Sequence, residues 1–338
     1  LLILSVWAFA ALGRHRVLAV DKEHENWQSW FSLLPPDLAD DIRCAQEESE
    51  RREAVGVAVD AVRVGCSTDA RARLPRVTLR DALLLLGRPL RVLLENGRND
   101  RSFVLAFADE ASRTVLENAE REGWLVFESA GGISELAIRA KSVQKNEFDA
   151  LRLIFLCDSD QKQHGKPSEE AAQVKRALNA LRRQFHRREG HFGQVLSRRA
   201  AENYAPPVEV VCWAKAKAVK DAAAIFGDYS TKDGRKRLTR SQGRAGSPRR
   251  MLIAALALKE LSPDDRSLFD MKEGRGPQGN QRTDDGVWDK LTDFQKAALA
   301  DGFGKNFGPD FYNASKEKHL QDETGEVAAF INTLIERL

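Results

Sequence analysis

The sequence predicts an α/β fold: a parallel-sheet core over about residues 90–205, with helical regions on either side. Three observations predict it. From Arg91 onward, short apolar runs alternate with amphipathic stretches, as expected of a parallel sheet covered by helices on both faces. The most apolar run, Leu151–Cys157, is strand-like in length and content. Two of the runs end in carboxylates, Glu95 and the Asp158/Asp160 pair, and ligands on such sheets gather at the carboxyl ends of strands.

Residues 1–89 read as a mainly helical accessory or partner-binding region. The opening LLILSVWAFAAL is apolar for about a dozen residues, short of the roughly 20 a membrane span needs, and is expected to be a buried helix or strand. After a turn at Leu33-Leu34-Pro35-Pro36, the polar stretch from Gln46 to Glu53 reads as a solvated helix face. Thr78 can cap a helix that runs through Leu83–Leu86 and stops at Gly87. No catalytic constellation is visible here.

In the middle region, Arg91–Glu95 is the first strand. One helix is expected from about Asp100, with Phe103, Phe107, Ala111 and Val115 at helical spacing, ending at Gly123. Trp124–Phe127 is the second strand, closed by Gly131-Gly132, and Ile133 to about Lys145 the next helix. Leu151–Cys157 is the third strand. Ser168 can cap a helix with apolar positions Ala171, Val174, Leu178, Leu181 and Phe185, and Gly193–Leu196 is a short fourth strand. Residues 206–338 read as helical with a long polar interruption. That interruption holds a basic run (Arg235, Lys236, Arg237, Arg240, Arg244, Arg249, Arg250) and a Gly-rich stretch from Lys272 to Asn280.

Composition narrows the classes. Of 338 residues, 42% are hydrophobic and 30% charged, which fits an ordinary globular protein, and a net charge of +3 leaves any basic surface local. Cys44, Cys66, Cys157 and Cys212 are widely spaced with no C-x-x-C pair. This argues against a zinc site or disulfide framework and fits a reducing cytoplasm. Gly165-Lys166 lacks the upstream glycine of a nucleotide-binding P-loop.

The sharpest chemical signal is Asp158-Ser159-Asp160. Clustered carboxylates repel, and a divalent cation relieves that repulsion; Mg²⁺ favours such oxygen ligands. The same pair also fits a helix cap or polar loop. Lys162 stands where a haloacid-dehalogenase-type phosphatase has Thr or Val, and the pair follows the third strand rather than the first, unlike a receiver domain. Glu95 strengthens the metal reading. Gly97 behind it permits close backbone approach, and Asp100 is placed either as a ligand or as a helix N-cap.

The order Val92-Leu93-Leu94-Glu95, Gly97, Asp100, then Gly131-Gly132, then Leu153–Asp160 resembles the Toprim family of primases, topoisomerases and nucleases of the overcoming-lysogenization-defect type. Leu196–Tyr204 resembles the Arg-Arg-x-x-Glu-Asn-Tyr segment of stand-alone Toprim proteins from anti-phage systems. The resemblance covers about a third of the chain. It implies a Toprim (Rossmann-like) core in which Glu95, Asp158 and Asp160 hold one or two Mg²⁺ or Mn²⁺ ions and Glu202 completes the acidic site. Asn96 departs from the family pattern, which has glycine directly after the glutamate. The function implied is metal-dependent cleavage of DNA or RNA in anti-phage defence; the alternative is a non-catalytic Toprim module that binds nucleic acid or a protein partner. Lys272 is a candidate for neutralising transition-state charge, with a solvated surface lysine as the plainer reading. The basic run from Arg235 to Arg250 is either a phosphate-contacting segment or a solvated loop. With no ATPase motif in the chain, control is expected from a partner protein, such as an ATPase in trans, or from a second copy; no membrane association is expected.

Overall fold

The computed structural model describes residues 2–12, 15–19, 21–55, 62–65, 75–144, 147–161, 163–226, 248–269, 290–301, 303 and 307–338. Lys272 and most of the basic run lie outside the described residues.

The N-terminal region holds helices α1 (Leu2–Ala11), α2 (Glu25–Ser32) and α3 (Pro36–Val55), a parallel pair of short strands β1 (Arg63–Gly65) and β2 (Arg76–Thr78), and α4 (Leu79–Leu86). Trp7, Ala10, Ile42 and Ala45 form a small core of their own, against which Trp27, Trp30 and Phe31 pack. The apolar opening segment is therefore a helix with one buried face; Leu2 and Leu12 are exposed. The stretch from Gln46 is not wholly solvated, since Gln46 and Ser49 are buried in α3. Thr78 caps α4 by accepting from the Asp81 N–H, and Gly87 closes it.

The central sheet has strands β3 (Leu90–Leu94), β4 (Leu125–Ser129), β5 (Leu153–Cys157) and β6 (Gly193–Val195), in the order β4-β3-β5-β6 and parallel throughout. Alternate strand residues feed two cores. Val92, Leu94, Ile154 and Leu156 face one, and Leu93, Leu153, Phe155 and Cys157 the other. The second face is covered by α7 (Ile133–Val143) and α9 (Glu169–Gln184), the latter capped by Ser168; the short α8 (Glu147–Ala150) precedes β5. Gly193 has φ +122°, and a Cβ there would lie 2.0 Å from the Phe155 carbonyl oxygen, so β6 can pair with β5 only through a glycine.

The first face is covered by two helices where the periodicity predicts one. α5 (Gly97–Phe107) starts earlier than Asp100, and α6 (Glu110–Arg121) follows a break at Ala108. Asp109 causes the break: its carboxylate accepts the Ser112 N–H at 2.6 Å and caps a new helix. The helical phase resets there, so Leu116 and Ala119 are buried while Val115 is exposed.

A 3₁₀ turn (Ala201–Tyr204) leads into the C-terminal helices α10 (Pro207–Phe226), α11 (Pro248–Glu260), α12 (Pro263–Leu268), α13 (Asp293–Asp301), α14 (Phe307–Ser315) and α15 (Glu326–Arg337). They join the first-face core rather than forming one apart. Phe103 of α5 meets Tyr204 and Tyr312 edge-on at centroid distances of 5.7 and 5.4 Å. The buried Arg337 of α15 donates to the carbonyls of Leu151, Leu153 and His191, tying the last helix to the sheet. Among the described residues, no helix is long and apolar enough to cross a membrane.

Candidate metal centre at the sheet switch point

The chain leaves β3 for β4 on one side and leaves β5 for β6 on the other. Connections that diverge from adjacent strand ends open a crevice between them, where ligands of open α/β sheets bind. Leu94 pairs with Leu156, so Glu95 emerges beside Cys157 and next to Asp158.

Two buried groups feel the charge of these acids. Burial pushes the Cys157 thiol well above its ordinary pKa, and the charges of Glu95, Asp158, Asp100 and Asp160 push it further. The fully buried Tyr312 hydroxyl is raised likewise, first by burial and then by Glu202 and Asp158. Glu95, Asp100, Asp158 and Asp160 thus all lie within electrostatic reach of Cys157 at the end of β5, and Glu202 and Asp158 within reach of Tyr312. Asp100, Asp158 and Glu202 are buried, and Glu95 and Asp160 half-buried.

Each acid is placed by identifiable backbone. Asp158 Oδ1 accepts the Ala201 N–H at 2.8 Å, and the Ala201 carbonyl accepts the Tyr312 hydroxyl at 2.8 Å. Asp160 sits in the left-handed region at φ +47°, uncommon for a residue other than glycine. The loop is held there by Asp160 N–H to the Arg199 carbonyl, Ser159 Oγ to the Arg198 carbonyl and Gln161 Nε2 to the Ser197 carbonyl. Asp100 is not the N-cap of α5; Asn96 is. Asp100 lies in the first turn and its Oδ2 accepts the Asn96 N–H at 2.7 Å, which folds the loop after Glu95 back on the helix. Gly97 brings α5 against β4: a Cβ there would lie 3.0 Å from Ser129 Cβ. Gly131 and Gly132, at φ +88° and +119°, turn the chain at the same rim.

Three functional residues escaped sequence reasoning. Asn99 Nδ2 donates to Glu202 Oε1 at 2.9 Å, orienting that carboxylate from α5. Gly308 of α14 packs on this pair, and Tyr312 anchors the Ala201 turn. Asn99 stood in view between Gly97 and Asp100. Gly308 and Tyr312 lie more than 100 residues downstream of Glu202, and the aromatic spacing around them predicts only core.

The donor set fits a hard divalent cation: carboxylate oxygens, partly buried, at the crevice of a parallel sheet. Among the described residues, no three His, Cys, Asp or Glu side chains are set to hold a metal ion as they stand. Asp100, Asp158 and Glu202 are each held by an N–H donor. No family model, curated protein or solved structure matches this chain.

Proposed function

We propose that this chain is a divalent-metal-dependent nuclease of the Toprim type, cleaving DNA or RNA phosphodiesters as an anti-phage effector in a reducing cytoplasm. The observation that carries the reading is the convergence of Glu95, Asp100, Asp158 and Asp160 at the switch point, with Glu202 alongside. Glu95, Asp158, Asp160 and Glu202 would hold Mg²⁺ or Mn²⁺. When bound, such ions neutralise phosphodiester charge and stabilise the attacking and leaving oxygens. The protein's own part is to hold the acids of the metal-free site in place. Ala201 N–H fixes Asp158, Asn99 fixes Glu202, and the hydrogen-bonded Ser159–Gln161 loop fixes Asp160. Lys272 keeps its proposed role of neutralising transition-state charge. Free Cys44, Cys157 and Cys212 accord with the reducing compartment.

The test is incubation of purified protein with Mg²⁺ or Mn²⁺ and plasmid DNA, single strands and tRNA, beside the Asp158→Asn variant. Cleavage by the parent alone, abolished by chelator, supports the reading. The second reading, a non-catalytic Toprim module that binds nucleic acid or a protein partner, draws on the lack of a ready three-ligand group among the described residues. Nucleic-acid binding without Mn²⁺ uptake in a calorimetric titration would favour it.

A further inference from the structure

The segment that carries Glu202 also walls a second pocket. Arg198, Asn203, Tyr204, Pro206, Leu258 and Arg266 line it, with Glu323 at its edge. Arg198 is fixed: it donates to the Asn203 carbonyl at 2.6 Å and to Glu323 Oε2 at 3.0 Å, and its guanidinium lies 5.1 Å from the Tyr204 ring centroid. Arg266 is not fixed in this way. Its Nε is buried with no hydrogen-bond partner, and it makes no ion pair among the described residues. Among the described residues, Glu323 is the only carboxylate in the lining; it is more than half exposed and already engaged by Arg198. Burial holds the Arg266 pKa below its ordinary value; Glu323 opposes this, and the Arg198 charge adds to it.

Folding therefore brings two arginines to one pocket that has, among the described residues, a single acid in its lining. It also leaves the buried Arg266 Nε–H without an acceptor. An oxyanion at the pocket mouth balances this positive charge, and guanidinium forks match phosphate oxygens. We propose that the Arg198–Arg266 pocket is a phosphate site that takes a backbone phosphodiester of a bound nucleic-acid strand. Asn203 in its wall directly follows Glu202, so a strand seated here runs beside the carboxylate rim. The choice of a nucleic acid over a free phosphate ion rests on the nuclease reading.

The experiment is fluorescence anisotropy with labelled 16-nucleotide single strands and duplexes, in EDTA so that nothing is cut. Salt is titrated for the parent, Arg266→Gln, Arg266→Lys and the exposed control Arg176→Gln. Thermal melts confirm folding, and Mg²⁺-dependent cleavage is measured separately. The proposal expects Arg266→Gln to weaken binding roughly 3- to 10-fold and to flatten the log–log salt slope by about 0.9 for duplex or 0.7 for single strands. Arg266→Lys should retain most of the affinity and Arg176→Gln all of it. Unchanged affinity and slope in a folded Arg266→Gln would overturn the site, and persistent cleavage there would leave the nuclease reading standing. The expected loss without cleavage by the parent would keep the site. A parent that binds inorganic phosphate in competition but no strand would overturn the nucleic-acid assignment.

Discussion

Replacing Gly308 by alanine should damage the candidate centre from a helix that contributes none of its acids. The added Cβ would lie 2.0 Å from Asn99 Oδ1, 2.9 Å from Asn99 Cγ and 2.8 Å from Glu202 Oε1. Asn99 is 1% exposed and has no room to swing away, so its hydrogen bond to Glu202 must lengthen or break. Overpacking of this kind costs about 1–3 kcal/mol, and a lost hydrogen bond to a charged group about 1.5–3 kcal/mol. The two are one event and do not add fully. Helix propensity favours alanine by up to about 1 kcal/mol and is outweighed. The net expectation is roughly 2–4 kcal/mol, read in a chain of this length as a fall in Tm of roughly 3–6 °C. Scanning calorimetry of the parent, Gly308→Ala, Asn99→Ala and the double variant is the assay. The double variant should be more stable than the sum of the two single losses, because removing the Asn99 amide makes room for the methyl group. An unchanged Tm in Gly308→Ala together with unchanged Mn²⁺ affinity would refute the reasoning.

Other outcomes follow from the same geometry. Asp158→Asn should lose metal-dependent cleavage and keep the parent Tm or exceed it, since it removes a charge from a repulsive cluster and keeps an acceptor for the Ala201 N–H; full activity in a rigorously repurified variant would place the chemistry elsewhere. Asp158→Ala should also be inactive but melt lower, by about 1–3 kcal/mol, because that N–H loses its acceptor. Tyr312→Phe should cost roughly 1 kcal/mol from the lost bond to the Ala201 carbonyl, and should raise the Mn²⁺ dissociation constant in calorimetry. Arg337→Ala should destabilise by at least about 3 kcal/mol in urea melts, with three buried carbonyls losing their donor. Arg91 grips Glu128 bidentately and holds its pKa below the ordinary 4.5. Its stabilisation is therefore present above that value and lost as pH falls through the lowered one. The pair is partly exposed, so Glu128→Gln should flatten the acid limb of a stability profile by under about 1 kcal/mol, and an unaltered limb would count against the pair.

What the sequence made legible was local. Thr78 and Ser168 announce their helices because a cap is decided within three residues, and strand ends at Glu95 and Asp158 follow from five-residue runs that are mostly or wholly apolar. The break at Asp109 was hidden because apolar spacing continues across it; the cap overrides periodicity there. Asp100 pointed to a cap, yet it sits one turn in and accepts from the capping residue's own N–H, a distinction of backbone phase. Glu202 came from a resemblance rather than from pattern. Gly308 and Tyr312 had no local sign at all, because their meaning lies in contacts with Asn99 and Ala201 across more than 100 residues of chain.

The placement of α14 and α15 has a consequence in time. All five acids lie before residue 203, but the groups that wedge and anchor them, Gly308 and Tyr312, are synthesised about a hundred residues later, and Arg337 later still. A nascent chain emerges at roughly 5–20 residues per second. For at least several seconds, therefore, each new molecule carries the acids without the supports that order them. Chains released early, by truncation or nicking before residue 307, would keep that unfinished state. Order around these carboxylates is thus coupled to the synthesis of α14 and α15.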